Sequence, residues 1–227
     1  TPEKLLIYCS EETHSCIQKA AEIIGLGTDS IRKIGVNEQF EMIPEKLESQ
    51  IETDLADGFR PFCIVGTSGT VNTGAIDPMK ELLRLSRKYG LWFHVDGAYG
   101  ALCKLDPVYS DRLKAIEEAD SLAFDLHKWL YVPYEIGCTL IRSKQKHRDS
   151  FAITPNYLLP ESRGLAGGLE SLNNYGFELS RGFKALKVWM SLKEQGLEKY
   201  QQMIGQNNRQ AEYLGALVES SPELELT

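Results

Sequence analysis

The chain has 227 residues, of which 42% are hydrophobic, enough to bury the core of a large domain. Its formal net charge of −7 argues against a general nucleic-acid binder, because such proteins need a basic surface to displace counterions from phosphates. No apolar run in the sequence reaches the length of a membrane span. The 5 cysteines are widely spaced and form no C-x-x-C pair, which favours reduced thiols in a cytoplasmic protein over a disulfide framework or a zinc site.

The first half of the chain alternates apolar segments with amphipathic ones. Pro44 stands at an early helical position, and Gly58 and Gly90 follow amphipathic segments at points where helices commonly end. The predicted strands are 5–9, 30–36, 62–65 and 91–95, and the predicted helices are 14–24, 44–57 and 79–89. This alternation predicts an α/β fold of three layers, with a mostly parallel sheet and helices on both faces.

The second half continues this pattern and then becomes helical. The predicted elements are a crossover helix at about 111–118, a strand from 120 toward Lys128, an edge strand at 137–142, helices at 176–195 and 197–220, and a short final strand. The basic residues at 142–148 are typical of a solvated turn, and residues 151–168, with their prolines and glycines, are typical of a long loop.

The stretch 121–137 places a lysine among apolar residues at the end of a predicted strand. It reads SLAFDLHKWLYVPYEIG. A lysine surrounded by apolar side chains loses hydration, which disfavours the ammonium and makes the neutral, nucleophilic amine accessible. Lys128 is therefore a candidate Schiff-base lysine, although the stretch alone fits equally well a lysine that reaches solvent from a strand end.

A second strand leads to an acid at a small-residue turn. The apolar residues 91–95 are followed by Asp96 and then by GAYG. Because ligands of open α/β sheets bind outside the carboxyl ends of the strands, we expect Asp96 and Lys128 to face one crevice. A buried carboxylate and a Schiff-base lysine suit pyridoxal phosphate, whose ring nitrogen needs an anionic partner to stay protonated.

The motifs HVDGAYG and DLHKW, at their spacing in this chain, resemble the group II pyridoxal-phosphate-dependent amino acid decarboxylases, which include the aromatic amino acid and glutamate decarboxylases. The resemblance implies that residues 1–227 form the core of a fold type I large domain. It implies decarboxylation of an L-amino acid to its amine and carbon dioxide, through an aldimine on Lys128 and a quinonoid intermediate. Only the middle of the family's length is covered, so the phosphate loop and the small C-terminal domain are expected to be absent.

The resemblance also implies roles for individual residues around the cofactor. In YCSEETHSC, His14 corresponds to a catalytic histidine that stacks on the cofactor ring, and Ala98 corresponds to the small residue on the other side of the ring. Thr70 corresponds to a threonine that hydrogen-bonds the cofactor. Asp125 and His127 are expected beside the cofactor, near its phosphate and near the lysine respectively.

Tyr157, in PNYL, corresponds by the same resemblance to a tyrosine on a mobile loop that returns a proton to the substrate carbon after carbon dioxide leaves. Family members that lack this tyrosine tend towards aldehyde formation, so its presence favours simple decarboxylation. The resemblance further implies a homodimer with the active site at its interface. His14, Tyr157 and the HKWL context favour an aromatic amino acid as the substrate.

Three alternatives stay open at this level. One is another pyridoxal phosphate reaction, such as aminotransfer or aldehyde synthesis. Another is a non-catalytic relative that keeps the sheet as a dimerisation module. The third is a nucleotide-binding α/β domain, but the glycine-rich run at 66–78 lacks the G-x-G-x-x-G spacing and the helix that such a site requires.

Overall fold

One six-stranded sheet runs through the residues that the computed structural model describes, which are 4–153, 163–164 and 171–226. Its strands are β1 (Leu5–Ser10), β2 (Ile31–Ile34), β3 (Arg60–Thr67), β4 (Trp92–Asp96), β5 (Ser121–Asp125) and β6 (Gly137–Ile141). Their order is β2-β1-β3-β4-β5-β6, with β1 to β5 parallel and β6 antiparallel to β5. The predicted mostly parallel sheet is confirmed, and β6 is an edge strand as expected.

Six α-helices accompany these strands in the described part of the chain. They are α1 (Cys16–Ile23), α2 (Pro44–Ala56), α3 (Met79–Tyr89), α4 (Pro107–Ser110), α5 (Lys144–Phe151) and α6 (Ala185–Glu219). Helix α6 is kinked at Gly196, whose φ of 73° is not helical. None of the described helices is both long enough and apolar enough to cross a membrane.

Alternate residues of a strand point to opposite faces of the sheet, and each face has its own core. Leu6 and Tyr8 of β1 belong to a large cluster that includes buried side chains of α2 and α3. Ile7 and Cys9 belong to a second cluster, which they share with Ala21 of α1. Helices therefore cover both faces, and burial of each large apolar side chain stabilises this arrangement by about 1.5–3 kcal/mol.

Asp77 fixes the segment that follows β3. Its side chain is almost fully buried and accepts two backbone N–H bonds, from Thr67 at 2.7 Å and from Met42 at 2.8 Å. The two donors belong to distant parts of the chain, so one carboxylate ties the end of β3 to the residues that lead into α2. Burial raises the pKa of Asp77 to about 6, although the two N–H donors favour its charged form.

Gly100 allows the segments after β3 and β4 to approach each other closely. Its N–H donates to the carbonyl oxygen of Ser68 at 3.0 Å. A Cβ atom at Gly100 would lie 2.5 Å from that same oxygen, which no side chain can tolerate without a shift of the backbone. The contact therefore requires glycine.

The crossover between β4 and β5 differs from the predicted helix at 111–118. It consists of the 3₁₀ segments Gly100–Leu105 and Lys114–Glu118, with the one-turn helix α4 between them. Asp106 caps α4 by accepting the N–H of Val108. Leu113 and Ile116 are buried in the cluster shared with α3, so packing sets the path of this segment more than helical periodicity does.

Three further predictions in the second half are wrong. The basic residues predicted as a turn lie largely in α5, which Ser143 caps by accepting the N–H of Lys146. The helix predicted from residue 176 begins only at Ala185, because Gly176 and Gly182 disfavour helix in the residues before it. The final described residues, 221–226, form a turn and coil and not a strand.

We expect Gly100→Ala to lower the free energy of unfolding by about 1–3 kcal/mol, because the added methyl group meets the Ser68 carbonyl. Denaturant unfolding measures this change. Gly215→Ala is the matched control, since an added Cβ there meets no atom within 4 Å and alanine is favoured over glycine in a helix. If Gly100→Ala were as stable as the wild type, the close approach would be disproved.

Asp77 gives a pH-dependent prediction. Its pKa of about 6 in the folded protein lies above the value of about 3.9 in an unfolded chain, so the folded state binds the proton more tightly. The contribution of Asp77 to stability therefore rises as the pH falls below about 6. Relative to Asp77→Asn, we expect the unfolding free energy of the wild type to increase by about 1 kcal/mol from pH 7 to pH 5. Urea unfolding of both proteins at the two pH values measures it, and a constant difference would contradict the raised pKa.

Candidate active site

A cavity of about 430 Å³ opens at the carboxyl ends of β1, β3, β4 and β5. The sheet order reverses between β1 and β3, and ligands of open α/β sheets bind at such a point. The residues that line the cavity are His14, Thr67, Gly69, Thr70, Val71, Gly74, Asp96, Ala98, Tyr99 and Lys128. The predicted site residues among them are His14, Thr70, Asp96, Ala98 and Lys128.

The strand register places Asp96 in the middle of this edge. Asp96 pairs with Thr67 of β3 on one side and with Ala123 of β5 on the other. It is only 6% exposed, and its Oδ1 accepts the N–H of Ala98 at 3.1 Å. Because a buried carboxylate is costly without a positive partner, Asp96 suits a cationic group of a ligand in the cavity.

The second carboxylate oxygen of Asp96 faces a thiol. The Sγ of Cys16, in the first turn of α1, lies 3.7 Å from Asp96 Oδ2. Partial burial and the nearby Asp96 carboxylate raise the pKa of the Cys16 thiol to about 11. The thiol is therefore protonated at neutral pH and acts as a weak S–H donor to Asp96.

Lys128 lies in the turn that follows β5. Its Nζ is 2.9 Å from Asp125 Oδ2, and its side chain is 37% exposed. Of the two interpretations that the sequence leaves open, this exposure favours a lysine that reaches solvent, and Leu126 and Leu130 are buried in a separate core cluster. The amine reaches the cavity as an ion-paired, partly solvated group.

Asp125 also lies near His127, with 3.9 Å between Asp125 Oδ2 and His127 Nε2. The Nδ1 of His127 is 2.9 Å from the carbonyl oxygen of Ile136 and 3.0 Å from its N–H, so it either donates to the first or accepts from the second. The ring packs against Tyr134, with 4.3 Å between the centroids. Neither Asp125 nor His127 belongs to the cavity lining; they flank Lys128.

The segments after β1 and β3 contribute His14 and Thr70. His14 is exposed, and its Nδ1 accepts the N–H of Cys16 at 3.2 Å. The hydroxyl of Thr70 accepts the N–H of Ala75 at 3.1 Å and lies 2.8 Å from the hydroxyl of Thr73. Thr70 therefore closes its own loop in addition to lining the cavity. Tyr157 lies outside the described residues.

Two aromatic residues at the site are missed by the sequence analysis. Tyr99 lines the cavity, is 52% exposed and stacks on Trp129 with 5.0 Å between ring centroids. Both follow predicted site residues directly, Tyr99 after Ala98 and Trp129 after Lys128, and this adjacency is the signal that could have found them. Tyr99 thus shares the cavity lining with Lys128, and Trp129 packs against the Tyr99 ring without lining the cavity itself.

A family model described as "Pyridoxal-dependent decarboxylase conserved domain" matches residues 1–227. The aromatic-L-amino-acid decarboxylase of Bacillus atrophaeus is 35% identical over 224 residues, which cover 99% of this chain and 46% of that relative. The 4-hydroxyphenylacetaldehyde synthase of Rhodiola rosea is 34% identical over 198 residues, which cover 86% of this chain and 39% of that relative. The chain therefore spans less than half the length of these relatives.

Solved structures match the fold. Mouse CSAD has a TM-score of 0.85 at 30% identity, over 96% of this chain and 45% of that one. Oryza sativa TDC, solved with PLP and tryptamine, has a TM-score of 0.90 at 27% identity, over 99% of this chain and 46% of that one. These matches confirm the fold type I prediction. Because the family model extends over the whole sequence, the chain belongs to the pyridoxal-dependent decarboxylase family.

Proposed function

We propose that the protein containing this chain uses pyridoxal phosphate to decarboxylate an L-amino acid to its amine and carbon dioxide. The observation that carries the proposal is that Asp96 and Lys128, which lie on different strand ends, line one cavity. Membership of the decarboxylase family supports the same reaction.

The cavity fits pyridoxal phosphate in size and in chemistry. Its volume of about 430 Å³ falls in the range of small-molecule sites, about 300–1,000 Å³. Lys128 supplies the one amine in the described lining, and Asp96 supplies a buried carboxylate for a ring nitrogen. When bound, the cofactor supplies an aldehyde that condenses with amines and a ring that accepts the electrons of a broken bond.

Lys128 and Asp125 act as a pair in this proposal. The amine of Lys128 must lose a proton before it can attack a carbonyl carbon. The carboxylate of Asp125, 2.9 Å away, holds the ammonium and is within reach of that proton. His127 Nε2 lies 3.9 Å from the same oxygen of Asp125, so both residues contribute polar groups near the lysine.

The remaining residues hold the reacting groups in place. Asp96 keeps a proton on the ring nitrogen, and the S–H of Cys16 and the N–H of Ala98 orient its carboxylate. His14, exposed at the edge of the cavity, is proposed to cover the ring and to exclude water from the reacting carbon. Thr70, in the segment after β3, is proposed to form a hydrogen bond with the cofactor.

An aromatic L-amino acid is the proposed substrate. Tyr99 and the exposed Val71 give the cavity lining an apolar, partly aromatic character. Relatives named as tryptophan and tyrosine decarboxylases, from Oryza sativa and Petroselinum crispum, are 30% and 32% identical to the chain.

Aldehyde synthesis is the second candidate. It is favoured by the similarity to the 4-hydroxyphenylacetaldehyde synthase of Rhodiola rosea and to the phenylacetaldehyde synthase of a Rosa hybrid cultivar, at 34% and 32% identity. Tyr157 argues for amine formation instead, because a phenol can return a proton to the substrate carbon before oxygen reacts with it.

A homodimer is proposed because large apolar side chains are exposed along residues 172–197. Phe177, Phe183 and Trp189 are 89%, 76% and 59% exposed. A hollow of about 670 Å³ beside the α6 kink continues this surface but contains none of the predicted site residues that the structure describes. Soluble proteins usually cover such surfaces with another chain or domain.

A cytoplasmic location stays a prediction from the cysteine content.

We expect Lys128→Ala to abolish both amine release and the borohydride-trapped cofactor adduct. The measurement combines peptide mass spectrometry of the reduced full-length protein with an amine-release screen over aromatic, acidic and basic amino acids. Lys114→Ala, at an exposed lysine outside the cavity, is the control and should behave as the wild type. An adduct on a different lysine in the wild type would refute the assignment.

Tyr157→Phe separates the two candidate reactions. Without the phenol, protonation of the substrate carbon slows and reaction with oxygen competes, so we expect the product to shift from amine to aldehyde. Amine and aldehyde are measured together with oxygen consumption in the full-length protein. A wild type that already forms mainly aldehyde would favour the second candidate over the first.

A further inference from the structure

Two adjacent asparagines of α6 contact different segments of the sheet domain. Asn207 Oδ1 accepts hydrogen bonds from the indole N–H of Trp129 at 3.0 Å and from the hydroxyl of Tyr131 at 2.5 Å. Asn208 Nδ2 donates to Asp106 Oδ2 at 2.7 Å, in the crossover after β4. Neither asparagine lines the cavity, and only Asn207 contacts the turn that carries Lys128.

The chemistry of the partners fixes the orientation of the Asn207 amide. An indole N–H can only donate, so it must face the carbonyl oxygen of the amide and not its NH₂ group. That single oxygen therefore joins Trp129 and Tyr131, the residue next to Lys128 and the residue three positions beyond it. The N–H of Tyr131 in turn donates to the carbonyl oxygen of Lys128 at 3.2 Å.

The turn needs such a restraint. Tyr131 has a φ of 58°, in the left-handed region that bulky residues rarely adopt, and such conformations persist only where surrounding contacts enforce them. Leu126 and Leu130 anchor the turn through the apolar cluster that they share with Tyr200 of α6. Those contacts hold the buried side of the turn, whereas Asn207 holds two residues that follow Lys128, namely Trp129 and Tyr131.

The restraint also extends to the wall of the cavity. Trp129, bonded to Asn207, stacks on Tyr99 with an interplanar angle of 28°, and Tyr99 lines the cavity next to Lys128. A change at Asn207 would therefore alter both the direction of the Lys128 amine and the position of the Tyr99 ring.

We infer that Asn207 is a positioning residue, whose side-chain oxygen sets the direction of Lys128 in the cavity through Trp129 and Tyr131. This inference rests on the proposed function, in which Lys128 attacks the cofactor aldehyde. Asn207 touches neither the cofactor nor the substrate. Because a misplacement of about 1 Å can slow a reaction about 100-fold, its loss should slow the reaction of Lys128 without removing the amine.

The test compares Asn207→Ala with Asn208→Ala in the full-length protein. Cofactor-free protein is mixed with pyridoxal phosphate, and the rate of appearance of the borohydride-trapped adduct on Lys128 is followed by mass spectrometry. We expect this rate to fall about 10–100-fold in Asn207→Ala and to stay within about 2-fold of wild type in Asn208→Ala. Thermal unfolding of both variants shows whether the loss of stability is comparable.

Two further variants test whether the side-chain oxygen of Asn207 is responsible for the effect. Asn207→Asp keeps an acceptor for both donors and should restore the rate. Trp129→Phe keeps an aromatic ring beside Tyr99 but removes the N–H donor, so it should slow formation of the adduct on Lys128. It tests the same hydrogen bond if Asn207→Ala does not fold. Equal rates in wild type and Trp129→Phe, or equal slowing in Asn207→Ala and Asn208→Ala, would overturn the inference.

A second readout does not depend on the cofactor. The rate of acetylation of Lys128 by acetic anhydride, which releases acetate, is measured peptide by peptide in the cofactor-free protein and should change in Asn207→Ala and not in Asn208→Ala. Suppose that the wild type forms no adduct with pyridoxal phosphate, but Lys128 is acetylated at different rates in the wild type and in Asn207→Ala. The proposed function then fails, while the positioning role of Asn207 stands. If the acetylation rate is unchanged and adduct formation is normal, the positioning role fails while the proposed function stands.

Discussion

The hydrogen bonding between β3, β4 and β5 fixes the relative heights of three strand ends, and the geometry of the site depends on it. Thr67, Asp96 and Ala123 lie in one row across the sheet. A slip of one residue would move a strand end by about 3.3 Å and turn its side chains to the opposite face. Each face has its own apolar core, with Ile64 of β3 on one side and Cys63 and Val65 on the other, so a slip of β3 would turn each set into the wrong core.

Outside the sheet, polar contacts and one close approach hold the connecting segments in place. Asp77 holds the end of β3, Gly100 allows the segments after β3 and β4 to meet, and Asn207 holds the turn after β5. These residues do not belong to the hydrophobic pattern of the chain. None of them lines the cavity, but the segments that they hold, after β3, β4 and β5, contribute Thr70, Tyr99 and Lys128 to its lining.

The sheet and the acid–lysine pair could be predicted because their signals are local. Alternating apolar segments marked the strands, and Asp96 and Lys128 follow two of them in the sequence. The crossover after β4 was mispredicted because its burial against α3 overrides its helical spacing. Cys16 and Asn207 could not be recognised, since their contacts with Asp96 and Trp129 join residues 80 and 78 positions apart. Only the folded chain makes such contacts visible.

The distance along the chain between Trp129 and Asn207 has a consequence for biosynthesis. A ribosome delivers the lysine turn 78 residues before the helix that restrains it, and chains fold from the N-terminus as they emerge. During that interval the turn lacks the hydrogen bonds that Trp129 and Tyr131 donate to Asn207. The turn is therefore fully restrained only after the second part of α6 has been synthesised and has docked.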